Sequence, residues 1–328
     1  MTFDPSTLLL AAAVFPVAVT ALLLDRLFGY PDGLQEWIGH PVEWIGAVIA
    51  RLDRSLNRGA ARKPRGVLAL VIVMALALAA TVPLTLALRS HESGWIIEAL
   101  LAGSLLSQKS LEDHVRAVAD GLERGVAAGR VAVGRIVGRD TRALDRSGVA
   151  KAAIESLAEN MSDGVLAPLF WLLVAGLPGA ALYKAINTAD SMIGHLSKTY
   201  RGFGWAAARA DDLANLIPSR ATGWLIVLAA SLSPGASGRS ALRIMARDAP
   251  GHVSPNAGWP EAALAGALNV RLGGPRSYQG RKVDLAWMGD GRAKLELQDI
   301  ERGLGLYATI LNIVTAIAAL ACLMMWMA

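Results

Sequence analysis

The sequence contains a single cysteine, Cys322, and no phosphate loop of the G-x-x-x-x-G-K-[ST] type. One cysteine excludes an intramolecular disulfide and a metal site built from several thiolates. A basic run with interleaved aromatic residues is also missing, so we do not expect nucleic acid as a partner. Any nucleotide that binds this chain must therefore be held by a pocket of another kind.

Long uncharged apolar runs are abundant instead. Hydrophobic residues form 54% of the chain, and its mean hydropathy is +0.41. Four runs approach the ~20 residues that a helix needs to cross a bilayer. They are residues 7–24, 66–88, 164–182 and 303–328, with weaker candidates at 95–107 and 221–232. The sequence thus predicts an all-α polytopic integral membrane protein with about 4–6 membrane helices.

The apolar runs differ in character. The first lacks a preceding basic segment and a following small-residue cleavage site, which favours a retained helix over a signal peptide. Gly and Pro between Gly176 and Gly179 interrupt the third, which predicts a broken or re-entrant helix lining a protein cavity. Amphipathic spacing predicts further helices over 41–57 and 105–122. With no evident strand pattern, we expect one membrane-embedded helical domain over 1–328.

Three larger polar regions, 25–65, 108–164 and 233–302, hold seven, nine and ten Lys and Arg residues. The net charge of +5 follows from them. Cytoplasmic loops of membrane proteins carry an excess of Lys and Arg, so these regions are expected on the cytoplasmic side. An active site formed by them would face the cytoplasm.

The stretch from Glu155 to Arg220 concentrates polar groups beside apolar runs. Carboxylates, carboxamides and two arginines occur there: Glu155, Glu159, Asn160, Asp163, Asn187, Asp190, Arg209, Asp211, Asp212, Asn215 and Arg220. Ionisable groups near membrane segments are costly and usually mark a site. Oxygen ligands of this kind suit a metal ion and a phosphorylated ligand.

Spacing supports this interpretation without settling it. Glu155 and Glu159 share a helix face, and like charges four residues apart favour a cation between them. Asn187 lies three residues before Asp190 and four before Ser191. The simpler alternatives are a solvated acidic face, a polar helix–helix contact, and carboxylates that only favour the positive end of a helix dipole.

Five segments occur in a fixed order along the chain. They read GHPVEWIG at 39–46, ESLAENMSDG at 155–164, YKAINTADSM at 183–192, FGW with Arg209, Asp211, Asp212, Asn215 and PSR within 203–220, and SPNAGWPEAA at 254–263. Together they resemble the adenosylcobinamide-phosphate synthase family of cobalamin biosynthesis, the CobD/CbiB type. The resemblance extends from about Asp25 to Gly280.

That resemblance implies a multi-pass protein of the bacterial inner membrane. Such proteins join adenosylcobyric acid to (R)-1-amino-2-propanol O-phosphate, or to aminopropanol, through a new amide bond. ATP as co-substrate and Mg²⁺ are expected from the family. The implied partners are the corrinoid, aminopropanol phosphate, the lipid bilayer and other membrane enzymes of late cobalamin assembly.

The resemblance and the residue chemistry together predict three groups of site residues. Those expected to be catalytic are Glu159, His40 and Arg209. Those expected to hold metal are Asp163, Asp190, Asp211 and Asp212. Those expected to bind substrate are Glu155, Asn160, Lys184, Asn187, Ser191, Asn215, Arg220, Ser254, Asn256 and Glu261.

Three other functions are weighed against this one. A membrane alcohol phosphotransferase would begin its motif as Asp163-Gly164 does, but Pro168 stands where that motif needs Arg. A transporter of a corrinoid or related anion would suit the broken third run, yet the chain shows no repeated half. A scaffold without chemistry of its own fits poorly with so many carboxylates.

Overall fold

The computed structural model describes residues 5–278, 281–283 and 286–327, with side chains described for 14–275 and 286–327. Contacts divide the chain into two compact units. The first contains the residues up to Gln108, Ala167–Asn215 and the residues from Thr315. The second contains Lys109–Leu166 and Leu216–Val314. The single domain expected from the sequence stays a prediction, and each unit is described by itself.

Helices dominate the described residues. In chain order they are α1 (Pro5–Phe28), α2 (Asp32–Ile38), α3 (Pro41–Leu56), α4 (Arg62–Arg89), α5 (Gly94–Gly103), α6 (Gln108–Arg124), α7 (Val126–Val133), α8 (Arg146–Asn160), α9 (Ala167–Ile193), α10 (Tyr200–Phe203), α11 (Trp205–Ala214), α12 (Leu216–Leu232), α13 (Gly238–Asp248), α14 (Gly258–Leu268) and α15 (Leu297–Met327). A π-helical segment, Met161–Leu166, follows α8, and a 3₁₀ turn, Ala249–Gly251, follows α13.

The first unit packs α3, α4, α9 and α11 around one apolar cluster. Ile49 of α3 is buried there with Val73 of α4 and Ala189 of α9. The opposite face of α3 carries its charges, so the amphipathic helix predicted over 41–57 is confirmed. A capping box closes its N-terminus, because the His40 ring accepts from the chain while the Glu43 side chain accepts from the His40 N–H.

Helix α9 is broken where the sequence predicts a break. Ala175 has φ −137°, and Gly176 has φ +65° with ψ −161°, so the helix is interrupted at this pair. Positive φ costs little only at glycine, which explains why Gly176 can turn the chain here. After the break, α9 continues to Ile193 and carries Lys184, Asn187 and Asp190.

The second unit is built around α14, in which every residue from Pro260 to Leu268 is buried. This helix packs against α8, α12 and α13. The strand-free prediction is wrong in one respect, because the described residues include four short strands: β1 (Leu272–Gly273), β2 (Arg276–Tyr278), β3 (Arg281–Val283) and β4 (Trp287–Met288). Antiparallel pairs form between β1 and β4 and between β2 and β3. Strands of two or three residues are too short to show a two-residue periodicity.

Within the described residues, three helices are long and apolar enough to cross a membrane: Arg62–Arg89, Arg146–Ile193 and Leu297–Met327. Two bent helix pairs would raise the number to five if each pair is one span. The all-α polytopic membrane fold is therefore confirmed. Helix α5, at 10 residues, covers only part of the weak candidate at 95–107 and is too short to span alone.

Candidate functional site

A network of polar side chains joins α9 to α11 in the first unit. Asn187 Nδ2 donates to Asp211 Oδ1 at 3.1 Å, and Asn215 Nδ2 donates to Asp211 Oδ2 at 3.0 Å. The Tyr183 hydroxyl donates to Asn215 Oδ1 at 2.9 Å. Two carboxamides thus orient one carboxylate, whose further lone pairs can still accept a donor or a cation. We call these four residues the Asp211 network.

Helical spacing explains how the sequence builds this network. Tyr183 and Asn187 lie four residues apart on α9, while Asp211 and Asn215 lie four residues apart at the end of α11. Residues at this spacing share a helix face. Since α9 and α11 pack together, the two pairs meet. Tyr183 and Asn215 are each 1% exposed, so the part of the network that they form is buried inside the protein.

Charged residues of the same helices lie beside it. Arg209 Nη1 lies 3.0 Å from Asp212 Oδ2, one helical turn apart, and the Arg209 side chain is largely exposed. Asp190 is half-buried on α9, and Ser191 is exposed. A Cβ at Gly194 would stand 1.9 Å from Asp190 Oδ1, so the missing side chain at Gly194 leaves room for that carboxylate.

His40 caps the N-terminus of α3. Its Nδ1 accepts from the Val42 N–H at 3.2 Å, and the Tyr30 ring meets its imidazole edge-on with centroids 4.4 Å apart. Nε2 is the ring nitrogen that remains for proton transfer. Lys184, which is 8% exposed, acts electrostatically on both His40 and Asp25.

A second cluster forms in the second unit around Arg220 of α12. Its guanidinium donates to Asn256 Oδ1 at 3.2 Å and to the Pro255 carbonyl at 3.3 Å, and it lies 4.7 Å from the Trp259 ring centroid. One arginine therefore holds the loop before α14 through hydrogen bonds and a cation–π contact. We call Arg220, Asn256 and Trp259 the Arg220 cluster.

The same loop is shaped by Ser254 and His252. Ser254 Oγ accepts from the N–H groups of Asn256 and Ala257, both at 3.2 Å. His252 Nδ1 accepts from the Ser254 N–H at 3.1 Å, and its Nε2 lies 3.9 Å from Glu261 Oε1. Glu261 is 2% exposed. Of the three residues predicted in this segment, Asn256 contacts Arg220 directly, Ser254 accepts from the Asn256 N–H, and Glu261 lies beside His252.

Helix α8 carries another part of the predicted site. Arg139 Nη2 donates to Glu155 Oε2 at 2.6 Å, and Glu155 Oε1 accepts from the Gly273 N–H at 2.8 Å. Asn160 Nδ2 donates to the Ser156 carbonyl at 2.9 Å, and Glu159 is exposed. Glu155 therefore fastens β1 to α8, which is a structural role beside its predicted binding role.

Asp163 lies in the π-helical segment that follows α8. Such segments are rare and occur frequently at functional sites. Within the described part of the chain, no three His, Cys, Asp or Glu side chains are grouped so that they could hold a metal ion. Mg²⁺ typically uses only one or two carboxylates with phosphate and water, and Asp211 beside Asp212 supplies oxygen donors of that kind.

Comparison with known proteins decides the family. A family model described as "CobD/Cbib protein" matches residues 18–307. The chain belongs to the CobD/CbiB family. Among its relatives, "Cobalamin biosynthesis protein CobD" of Rhodobacter capsulatus is 52% identical over 291 residues, covering 88% of this chain and 91% of the relative. The protein of the same description from Rhizobium meliloti is 47% identical over 322 residues, covering 96% and 98%. No solved structure matches this chain.

The predicted site residues of this CobD/CbiB chain divide between the two units. The first unit holds His40, Lys184, Asn187, Asp190, Ser191, Arg209, Asp211, Asp212 and Asn215. The second unit holds Glu155, Glu159, Asn160, Asp163, Arg220, Ser254, Asn256 and Glu261. Their roles stay predictions. What the structure adds is the direct contact within the Asp211 network, within the Arg220 cluster and between Glu155 and Arg139.

Residues in or beside these contacts that the prediction does not include are Tyr183, Asp25, Arg139, His252 and Trp259. Tyr183 could have been found, because it lies one turn before Asn187 on the same face. Asp25 is 4% exposed and its Oδ2 accepts from the Gln108 N–H at 2.7 Å, a contact across 83 positions that no local pattern indicates. Arg139 and His252 likewise contact Glu155 and Glu261 only because the fold brings these residues together.

Proposed function

We propose that this CobD/CbiB protein acts in cobalamin biosynthesis as an amide synthase. It would join the free carboxylate of adenosylcobyric acid to the amine of (R)-1-amino-2-propanol O-phosphate or of aminopropanol, with ATP as co-substrate. The observation that carries the proposal is the family match over residues 18–307, which includes all five motif segments. Proteins named for cobalamin biosynthesis at about 50% identity support the pathway.

The chemistry requires an activated carboxylate, because forming an amide from a carboxylate and an amine in water is uphill. We propose that a carboxylate oxygen attacks the γ-phosphorus of ATP, so that ADP leaves and an acyl phosphate forms. The amine nitrogen then attacks the acyl carbon, inorganic phosphate leaves, and one proton is released from nitrogen. No cysteine is placed for a thioester alternative, since Cys322 lies in the last apolar helix.

Positive charge must balance the transferring phosphoryl group. Mg²⁺, when bound, would neutralise phosphate oxygens. The residues that would hold it are drawn from Asp163, Asp190, Asp211 and Asp212, and Asp211 fits best because two carboxamides already orient its carboxylate. Arg209 is largely exposed beside Asp212 and can turn toward a phosphate. We assign it the role of offsetting charge on the phosphoryl group.

A base must accept the proton of the attacking amine. Glu159 is the first candidate, because it is exposed on α8 one turn beyond Glu155. His40 is the second, and only its Nε2 could act, since Nδ1 accepts from the Val42 N–H. Lys184, Asn187, Ser191 and Asn215 of the first unit and Glu155, Asn160, Arg220, Ser254, Asn256 and Glu261 of the second would bind the substrates. The site would face the cytoplasm from the inner membrane.

The direct test is an assay with the purified full-length protein in detergent. Adenosylcobyric acid, the amine and Mg²⁺ are incubated with and without ATP, and the corrinoid product is identified by mass spectrometry. We expect the amide only when ATP is present. Amide formation without nucleotide cleavage would refute the activation scheme, and no amide with either amine would refute the proposed function.

Isotope tracing separates the two ways of activating the carboxylate. With ¹⁸O in the reacting carboxylate, an acyl phosphate route delivers one ¹⁸O to inorganic phosphate and leaves ADP. Label in AMP would show adenylation instead. The same experiment run with both amines shows which one the protein prefers.

A further inference from the structure

Two aromatic residues of α9, one on each side of its break, hold the end of α11 in the first unit. Trp171 precedes the break, and its indole Nε1 donates to the Ala214 carbonyl at 3.1 Å. Tyr183 follows the break, and its hydroxyl donates to Asn215 Oδ1 at 2.9 Å. The last carbonyls of a helix lack a partner within the helix, so the indole satisfies one that α11 leaves open. The end of α11 therefore has a fixed place against α9.

The Tyr183 side chain is itself held firmly. It is buried in a small cluster with Ala167 and Ala214, and Trp171 packs against this cluster. A tyrosine side chain has only two rotatable bonds before its hydroxyl, so burial of the ring leaves the hydroxyl little freedom. The phenol oxygen therefore presents its proton to Asn215 from a constant position.

That hydroxyl decides which way the Asn215 carboxamide faces. The oxygen and nitrogen of a carboxamide are similar in size, but only the nitrogen donates. With Oδ1 accepting from Tyr183, Nδ2 faces Asp211 Oδ2 at 3.0 Å. The reversed carboxamide would place Oδ1 against that carboxylate oxygen, which are two acceptors without a proton between them. Asn215 is 1% exposed, so water cannot compensate for the wrong orientation.

The Asp211 carboxylate depends on this orientation. Asn187 Nδ2 donates to its Oδ1 at 3.1 Å, while Asn215 Nδ2 donates to its Oδ2. The two carboxamides differ in their surroundings, because Asn187 is half-buried whereas Asn215 is buried and accepts from Tyr183. The backbone N–H of Asn215 also donates to the Asp211 carbonyl at 2.9 Å. Asn215 is therefore the more rigid of the two residues that orient this carboxylate.

We propose that Tyr183 is a positioning residue, which acts through Asn215 to fix the Asp211 carboxylate for the divalent cation that this carboxylate would hold. The assignment rests on the proposed function, in which Asp211 is the best fit for Mg²⁺. Loss of a group that orients a metal-binding side chain typically costs about 10- to 100-fold in metal affinity or activity. In this role Tyr183 needs no contact with the cation or with the substrates.

The kinetic test compares Tyr183→Phe with Tyr200→Phe in the full-length protein in detergent. Each change keeps the ring and removes one hydroxyl that donates to a side chain of the first unit. Tyr200 is the matched control, because its hydroxyl donates to Asp53 Oδ2 at 3.1 Å outside the predicted site. Tyr183→Phe should raise the Mg²⁺ concentration for half-maximal amide formation about tenfold, with a smaller change in kcat at saturating Mg²⁺. Tyr200→Phe should leave this concentration unchanged.

A stability cycle without ligand tests the same link and separates it from other contacts of Tyr183. Thermal unfolding midpoints are measured for Tyr183→Phe, Asp211→Ala and the double variant. Changes at independent sites add, whereas changes that share a partner do not. We expect Tyr183→Phe to lower the midpoint less when residue 211 is already alanine, because the Asn215 carboxamide then has no carboxylate to face. Additive shifts would refute the positioning role.

The two measurements keep this role distinct from the proposed function. If the unmodified protein forms amide while Tyr183→Phe and Tyr200→Phe need Mg²⁺ alike, the positioning role is refuted and the function stands. If the unmodified protein forms no amide, the function falls and the stability cycle alone decides the role. In an Asn215→Ala background, Tyr183→Phe should change the Mg²⁺ dependence little further. A full additional effect there would show that Tyr183 acts by another route and would refute the inference.

Discussion

Arg89 and Glu98 form a bidentate salt bridge beside the break in α9. Arg89 Nη2 lies 2.9 Å from Glu98 Oε1, and Arg89 Nε lies 3.1 Å from Glu98 Oε2. Glu98 is fully buried, and a Cβ at Gly176 would stand 3.1 Å from Arg89 Nη2. The arginine therefore fits against the glycine at which the helix turns. The pair and the break form one packed arrangement upstream of Lys184 and Asn187.

The first prediction follows from that pair. Glu98→Gln should lower the free energy of unfolding by about 3 kcal/mol, because it leaves a largely buried guanidinium without its countercharge. The double variant Arg89→Leu/Glu98→Leu should be milder, since both desolvated charges are removed. Thermal unfolding in detergent measures both. A double variant less stable than Glu98→Gln would contradict the buried-charge explanation.

The second prediction concerns the Asp211 network. Asp211→Asn should lower amide formation about 100-fold, because the new carboxamide can no longer accept from both Asn187 and Asn215 or hold a cation. Asp53→Asn is the matched control. Its carboxylate also accepts two side-chain hydrogen bonds, from Asn57 and Tyr200, but it lies outside the predicted site. Equal loss of turnover in both variants would show that Asp211 acts only through stability.

The third prediction concerns Arg220. Arg220→Lys should raise the KM for the corrinoid about tenfold, because lysine cannot hold Asn256 and the Pro255 carbonyl with one planar group. The kcat should change less, since the loop is displaced rather than removed. Steady-state kinetics beside the control Arg239→Lys measures this. An unchanged KM would remove Arg220 from the substrate-binding residues.

The fourth prediction concerns topology. The Lys and Arg bias predicts that the polar regions 25–65, 108–164 and 233–302 lie on the cytoplasmic side. Arg135 and Arg239 are exposed, and neither takes part in a described ion pair, so cysteine at either position should leave the fold intact. In a Cys322→Ser background, an impermeant thiol reagent should label both positions in inverted vesicles only. Labelling in intact spheroplasts would reverse the orientation.

The fifth prediction concerns pH and the α13 terminus. Hydrogen bonds from the Arg247 guanidinium hold the pKa of the Asp248 carboxyl below its usual range, and the Gly289 N–H at 2.8 Å adds to this. A carboxyl with a lowered folded pKa contributes stability above its unfolded pKa of about 3.9 and loses it as pH falls through the folded value. Unfolding midpoints from pH 6 to 3 should therefore fall less steeply in Asp248→Asn. Equal pH dependence of the unfolding midpoint in the variant and the unmodified protein would contradict the lowered pKa of Asp248.

Much of the fold follows from local pattern. Amphipathic spacing predicts α3 and most of α6, and the Gly–Pro cluster predicts the break in α9, because both signals arise from residues within a few turns of each other. The uncharged runs fix the membrane class for the same reason. Strands β1 and β4 were not predictable, because each has only two residues and pairs with a strand outside its own local stretch of sequence.

The sequence alone determined that this is a helical membrane protein of the CobD/CbiB type, and which polar residues to consider. Tertiary structure alone decided which of them meet. Asn187 and Asp211 are 24 positions apart, and Glu155 reaches Gly273 across 118. Likewise, Lys151 and Arg271 each lie near the Trp287 ring because β4 pairs with β1, which contacts α8. Side-chain contacts of this kind depend on helix packing and strand pairing, which no local spacing encodes.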